Sequence, residues 1–349
     1  MSPDEGGLAA LRFPHAAPPP AGTVTEVAPG VRWLRMPLPF ALDHINLWLV
    51  QDGAGWAIID TGINSTTTRE LWERLFATAL DGKPVTRLIV THYHPDHVGL
   101  AGWLTERLGI ELWMTETEWR FGFERSRTTT EGIHPLTADL YRRVGFADDA
   151  LMKVGIARSG HYRSRVLPVP ERHHRLADGM EFSLGHRTWR VIVGRGHAPE
   201  HACLYCAELD LLIAGDQVLP KISPNVSYWP QDRDQDPLGS FLATIEKLRR
   251  AVPPTSFVLP SHNLPFFGLH ARLDQLSALH QQRLLEIETA CDTPRSTAEL
   301  VPLLFTRALD QHQLGFAVGE TLAHLLHATN TARLTRRDRA DGVWLFQRV

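Results

Sequence analysis

Thr91-His92-Tyr93-His94-Pro95-Asp96-His97 follows directly on the apolar run Leu88-Ile89-Val90. Three histidines and an aspartate fall within six positions. Imidazole nitrogen and carboxylate oxygen are the usual ligands of zinc and related divalent metals. One tetrahedral ion cannot easily take four side chains from so short a turn, so the density points to two neighbouring ions. Leu88 to Val90 read as a buried parallel strand, β-branched in part and free of charge. In parallel α/β folds, sites gather beyond the carboxyl ends of strands. His92 and His94 are two apart, so an extended backbone points them the same way. Pro95 stiffens the turn, and Asp96 and His97 open a segment able to face a second ion. Gly99 and Gly102 allow close backbone approach before a helix from about Ala101.

Four further stretches fall in an order that matters. Ile58-Ile59-Asp60-Thr61-Gly62 is a strand ending in Asp-Thr-Gly. Gly196-His197-Ala198-Pro199-Glu200-His201 supplies another histidine. Ala214-Gly215-Asp216 puts an aspartate after a strand. Leu259-Pro260-Ser261-His262-Asn263 puts a histidine after a strand.

With the His-rich turn, these five stretches resemble the motifs of the metallo-β-lactamase superfamily, over roughly residues 25 to 265, and most resemble its glyoxalase II-like branch. The resemblance implies a first metal on His92, His94 and His197, and a second on Asp96, His97 and His262, with Asp216 bridging. It implies Asp60 behind the ligands, orienting an imidazole. One departure is visible: Glu200 stands where the glyoxalase-like pattern has glycine. The implied cofactors are two divalent ions, zinc first, with iron or manganese as alternatives. Such ions lower the pKa of a shared water and polarise a carbonyl or phosphoryl oxygen, and Asp96 or Asp216 would orient or deprotonate that water. The expected reaction is hydrolysis of an ester-like bond in a small acyl compound, a thioester or lactone. The alternatives are a nuclease or phosphodiesterase, and an oxidoreductase like the iron-bearing persulfide dioxygenases. The flavin-linked diiron branch is disfavoured, because it carries Glu at the position of His94.

The short strands before and after the His-rich turn alternate with helical patterns. The expected fold is therefore α/β: an αββα sandwich of two mixed sheets with helices outside. Residues 1–23 read as an extended arm, 24–265 as the hydrolase domain and 266–349 as a C-terminal domain. Residues 116–172 exceed a minimal βα connection and read as a helical insertion, expected to act as a lid over the site. Its Trp119, Phe121 and Phe123 would shelter the apolar part of a substrate. After the last candidate ligand come helical patterns at 270–291, 297–305 and 317–329. A hairpin signal around Asp341-Gly342 follows. Three helices and a hairpin look like a winged helix, which some relatives of this superfamily carry.

Composition limits the partners. The chain has 349 residues and a formal net charge of −3, which argues against a chain built to grip nucleic acid. From His270 onward nine arginines face nine acidic residues. The C-terminal module is thus expected to pack on the core and to help close the site or a homodimer. No apolar run reaches the roughly 18 to 20 residues that span a bilayer. Residues 1–23 do not read as a signal peptide, and a cytoplasmic location is expected. Cys203-Leu204-Tyr205-Cys206 reads as two strand residues on opposite faces, not as a metal site. Tyr93 is expected in the core and His201 near the ligands. Tyr228, in the Pro220 to Pro230 loop, is expected to touch substrate and to donate to a developing oxyanion. His161, His173 and His174 read as surface.

Overall fold

Leu88 and Ile89 close β5 (Val85–Ile89), the strand that delivers the His-rich turn, and Val90 still donates its N–H to Trp113 O. In the computed structural model the described residues are 11–40, 42–128, 135–146, 162–231, 235–306 and 308–349. Around β5 lie β1 (Thr25–Ala28), β2 (Val31–Pro37), β3 (His44–Asp52), β4 (Gly55–Ile59), β6 (Glu111–Thr115) and β7 (His174–Leu176). The seven strands stand side by side in chain order. β1 to β4 pair antiparallel, and β4 to β7 run parallel. A second sheet holds β8 (Glu181–Leu184), β9 (Arg187–Gly194), β10 (His201–Cys206), β11 (Leu211–Gly215) and β12 (Phe257–Pro260). Its order is β12-β11-β10-β9-β8, antiparallel except for the parallel pair β11 and β12.

The two sheets face each other across an apolar layer that includes Trp33, Trp48, Ile59, Trp189, Leu204 and Ile213. The period of two divides each strand between layers. In β3, Trp48 and Val50 enter this central layer, while Leu47 and Leu49 enter the layer under the helices. In β10, Cys206 faces the central layer and Cys203 the opposite one, the two-face placement expected from their spacing. Helices α1 (Thr66–Thr78), α2 (Pro95–Val98) and α3 (Ala101–Leu108) cover the outer face of the first sheet through Leu71, Trp72, Val98 and Leu104. A Cβ at Gly99 would lie 2.6 Å from Gly62 O, and one at Gly102 would lie 2.1 Å from Pro168 O. Both positions therefore need glycine for backbone approach.

The expected insertion supplies α4 (Glu116–Arg127) and α5 (Pro135–Arg143). The parts of the lid at 129–134 and 147–161, with His161, lie outside the described residues. Phe121 of α4 packs in the layer under the first sheet, whereas Leu140 and Tyr141 of α5 join the layer on the far side. That far layer covers the second sheet with α6 (Pro237–Ala251) and α7 (Leu269–Ala290). It continues without interruption into α8 (Thr297–Leu304), α9 (Gln311–Asn330) and the hairpin β13 (Leu334–Asp338) and β14 (Trp344–Arg348).

The last helix starts six positions before the expected 317. Asp310 accepts from Gln313 N–H at 2.8 Å, and the Gln313 side chain returns to Asp310 N, a reciprocal cap that outweighs the polar start of the helix. At the other end of the chain, Arg12 exchanges two backbone hydrogen bonds with Phe267, so the described part of the arm is fastened to the second sheet's side. Among the described residues no helix is long and apolar enough to cross a membrane.

Candidate metal centre

Four strand ends meet at the site. Asp60 follows β4 with φ +61°, a left-handed conformation that costs a non-glycine residue energy and recurs at functional sites. Held there, its carboxylate accepts from Thr91 N–H at 2.8 Å, from the Thr91 hydroxyl at 2.9 Å and from His97 Nδ1 at 2.8 Å. The Thr91 hydroxyl proton is thus committed to Asp60, and its oxygen accepts from His92 Nδ1 at 3.0 Å. This network assigns the tautomers of His92 and His97: each keeps its proton on Nδ1 and turns Nε2 into the site. His197 Nδ1 donates to Asn225 O at 3.0 Å, and His262 Nδ1 to His44 O at 2.7 Å. Four of the five histidines are oriented this way.

The inward atoms form two groups. His92, His94, His197 and Asp216 make the first, and Asp96, His97 and His262 the second, each with its ligand atoms within 4.8 Å of one another. In the first group, His92 Nε2 lies 2.9 Å from His94 Nδ1 and 3.3 Å from His197 Nε2. In the second, Asp96 Oδ2 lies 3.5 Å from His262 Nε2 and 3.7 Å from His97 Nε2. Asp216, of the first group, also faces the second. Its Oδ2 is 3.4 Å from His197 Nε2, while its Oδ1 is 3.3 Å from His262 Nε2 and 3.5 Å from His97 Nε2.

A tetrahedron built on metal–nitrogen bonds of about 2.1 Å has edges of about 3.4 Å, so the spacing suits an ion at the centre of each group. His97 Nε2 and Asp216 Oδ1 are buried with no hydrogen-bond partner among the described residues, and such atoms call for one. The donor set, imidazole and carboxylate, is that of zinc, manganese and iron.

The charges agree with this. Burial, reinforced by His97, His94 and the other imidazoles, keeps His92 well below the ordinary histidine range. Burial does the same for His94, with His197 adding to it. In the second group the carboxylates win. Burial opposes a charged His97, yet Asp60, Asp216 and Asp96 raise it well above its usual value. Burial likewise opposes a charged His262, but Asp216 and Asp96 push it to about 10. Burial alone would raise both carboxyls. Instead His97 and His262 hold Asp96 at about 2, and His262 and His97 hold Asp216 well below the usual carboxylate range. Protons on His97 and His262 balance the acids, and a bound cation would take their place.

His201, buried, lies behind Asp216 and accepts its backbone N–H on Nε2 at 3.1 Å. Burial, with His197 next, lowers it to about 3, so that nitrogen keeps its lone pair. Tyr93 is buried with its ring against Phe121 at 5.5 Å, as expected of a core residue. Tyr228 is partly buried against the far apolar layer, and its N–H donates to Gly319 O at 3.0 Å. His173 stacks on Trp119 and His174 on Trp113.

Several supporting residues lie outside the motif reading. Thr91 had a signal, its place beside the first ligand. His44 and Asn225 act through backbone carbonyls, which no side-chain pattern encodes. Glu118 is a buried acid on α4, a helix in which the sequence singles out only the aromatic residues. At the position where the glyoxalase-like pattern has glycine, the Glu200 carboxylate accepts from Thr117 N at 2.9 Å. It thereby caps α4, whose own N-cap residue Thr115 makes no side-chain cap.

Residues 41–262 match the family described as the metallo-beta-lactamase superfamily, and residues 284–349 match its metallo-beta-lactamase-like C-terminal domain. The chain is 24% identical over 298 residues to a probable metallo-hydrolase, YqjP, of Bacillus subtilis, covering 84% of this chain and 90% of that protein. Among solved structures it is similar to a beta-lactamase domain protein from Burkholderia ambifaria. That match has 43% identity and TM-score 0.90, over 99% of this chain and 100% of the other. It is also similar to a metallo-beta-lactamase family protein from Thermus thermophilus, at 29% identity and TM-score 0.78, over 93% and 100% of the two chains.

Proposed function

The chain belongs to the metallo-β-lactamase superfamily, and we propose that it is a binuclear metal-dependent hydrolase of a small acyl compound, a thioester or a lactone. One observation carries this reading: the two oxygens of Asp216 divide between two histidine groups. Oδ2 faces His197, and Oδ1 faces His262 and His97. His92, His94 and His197 would hold the first ion and Asp96, His97 and His262 the second, with zinc the first expectation. Two such ions would acidify a shared water and polarise a carbonyl oxygen, so no serine or cysteine nucleophile is needed.

The chain's own groups supply the rest. Asp60 and Thr91 hold the Nδ1 protons of His92 and His97 in place, so that each Nε2 is the atom that would face an ion. Asp96 and Asp216, both held ionised, are the acceptors in reach of a water proton. The name of the Bacillus subtilis relative, a probable metallo-hydrolase, supports hydrolysis. The overall charge of −3 favours a small substrate over a nucleic acid. We read the C-terminal helices and hairpin as a winged-helix-like module used for packing.

The test joins elemental analysis of the purified protein to a panel of thioesters, lactones, phosphodiesters and short RNAs. Two zinc ions per chain with turnover confined to acyl substrates is the expected result. Phosphodiester or RNA cleavage at comparable kcat/KM would replace this reading with the nuclease one. Bound iron with oxygen consumption would replace it with a redox one.

A further inference from the structure

Helix α4 belongs to the insertion, yet one of its side chains reaches both turns that carry the histidines of the first group. Glu118 is fully buried. Its Oε2 accepts from Tyr93 N–H at 3.0 Å, and Tyr93 stands between His92 and His94. Its Oε1 accepts from Glu200 N–H at 2.6 Å, three residues beyond His197. A second insertion residue completes the grip, since the Tyr162 hydroxyl donates to Tyr93 O at 2.7 Å. The residue between two candidate ligands is therefore held on its N–H and on its C=O by side chains of the insertion. The bond is reciprocated, because the Glu200 side chain caps α4 through Thr117 N.

Two amides from distant segments converge on one carboxylate. Backbone donors to a charged oxygen make short, strong hydrogen bonds. A carboxylate has an oxygen for each, whereas a carboxamide has one oxygen and would oppose the other amide with its own N–H.

We propose that Glu118 is a positioning residue: a strut that sets the distance between the His92–His94 turn and the His197 turn, and so the geometry of the first metal site. The inference rests on the binuclear reading above, and goes beyond it by giving the insertion a duty at one of the two ions. The second group takes its ligands from Asp96, His97 and His262, so Glu118 spans none of its gaps.

The test is stepwise zinc binding by competition with a chromophoric chelator. The two steps are assigned beforehand with His94→Ala, which should remove one, and His262→Ala, which should remove the other. A single binding step in the unmutated chain itself would overturn the binuclear reading, separately from the strut. In Glu118→Gln the step lost in His94→Ala should weaken by about 10- to 100-fold, the range for partners that orient ligands. The step lost in His262→Ala should stay within about twofold of the unmutated protein. If Glu118→Gln does not fold, Glu118→Asp serves. It keeps the charge but withdraws both oxygens by one methylene, and the same selective weakening is expected. Equal weakening of both steps, or no change in either, overturns the proposal, because a residue that only supports the fold would not discriminate between the two ions.

Discussion

His197 and Asn225 meet through one hydrogen bond, from the imidazole Nδ1 to the backbone carbonyl, 3.0 Å long. The loop that carries Asn225 is in turn stitched to α9. The Ser227 hydroxyl donates to Asn225 Oδ1 at 2.8 Å, and Tyr228 N–H donates to Gly319 O at 3.0 Å. A Cβ at Gly319 would lie 2.8 Å from the Ser227 side chain. Gly319→Val should therefore push the loop off α9 and turn His197. The expected outcome is first-site zinc affinity lowered by about tenfold, with no ligand altered. Chelator competition checks it, and an unchanged affinity would show that the loop position does not govern His197.

His201 offers a second handle. It accepts the Asp216 backbone N–H, and a Cβ at Gly215 would lie 2.4 Å from its ring. In His201→Phe the volume stays but the amide loses its acceptor, at a cost of about 1–3 kcal/mol. Because the two oxygens of Asp216 face both groups, both zinc steps should weaken together, unlike the selective loss expected for Glu118→Gln. A change confined to one step would contradict the shared role of Asp216.

Metal uptake should release protons. In the metal-free chain the acids keep His262 at about 10 and His97 above its usual range, so both are charged near neutrality. An ion must displace those protons. Second-site affinity should then rise with pH from about 6 to about 9, while the first site, whose His92 and His94 are held neutral, changes far less. Calorimetric titrations in buffers of different ionisation enthalpy report the number released. A count of zero at about pH 7.5 would contradict the assignment.

A buried histidine pair outside the centre should make the fold acid-sensitive. His280 Nδ1 lies 3.1 Å from His324 Nε2, where α7 meets α9. Burial, then Arg283 and His327, lowers His324 to about 3, and burial with His324 lowers His280 well below its usual value. Both folded-state values lie under the unfolded one of about 6.5. Below that pH the unfolded chain binds more protons, so stability falls as pH falls, by up to about 1.4 kcal/mol per unit for each histidine. Denaturant unfolding at about pH 7.5 and about pH 5 should show a smaller acid loss in His280→Leu/His324→Leu than in the unmutated chain. Equal losses would place the sensitivity elsewhere.

The C-terminal module carries equal numbers of arginine and acidic residues, so nucleic-acid binding is expected to be weak and to vanish with salt. Fluorescence anisotropy with duplex DNA and RNA at physiological salt checks this. Submicromolar affinity would favour the nuclease reading.

The seven candidate ligand positions are legible as a pattern because they follow strands, and strands announce themselves by apolar runs. Ile58-Ile59, Leu88 to Val90 and Leu259 all end where polar residues begin, and each end carries its ligand or its orienting acid. The sandwich was legible for the same reason. What stayed hidden acts at long range or without a side-chain signature. Glu118 looks like any helical surface acid until Tyr93 and Glu200 are brought to it. Asn225 and His44 contribute carbonyls. The early start of α9 rests on a cap between Asp310 and Gln313, whereas the apolar periodicity begins only near Ala317.

Every candidate ligand precedes Asn263, yet the loop behind His197 is tied down largely by what comes later. Arg272 donates to Leu219 O and to Ile222 O, and Gly319 holds Tyr228. A chimaera spliced between relatives at residue 265 would inherit a full set of ligands and a foreign scaffold for one of them. The loop from 219 to 229 and the helices from 269 to 330 therefore form one heritable unit. Exchange of residues outside this unit should leave the orientation of His197 intact, whereas exchange within it should not.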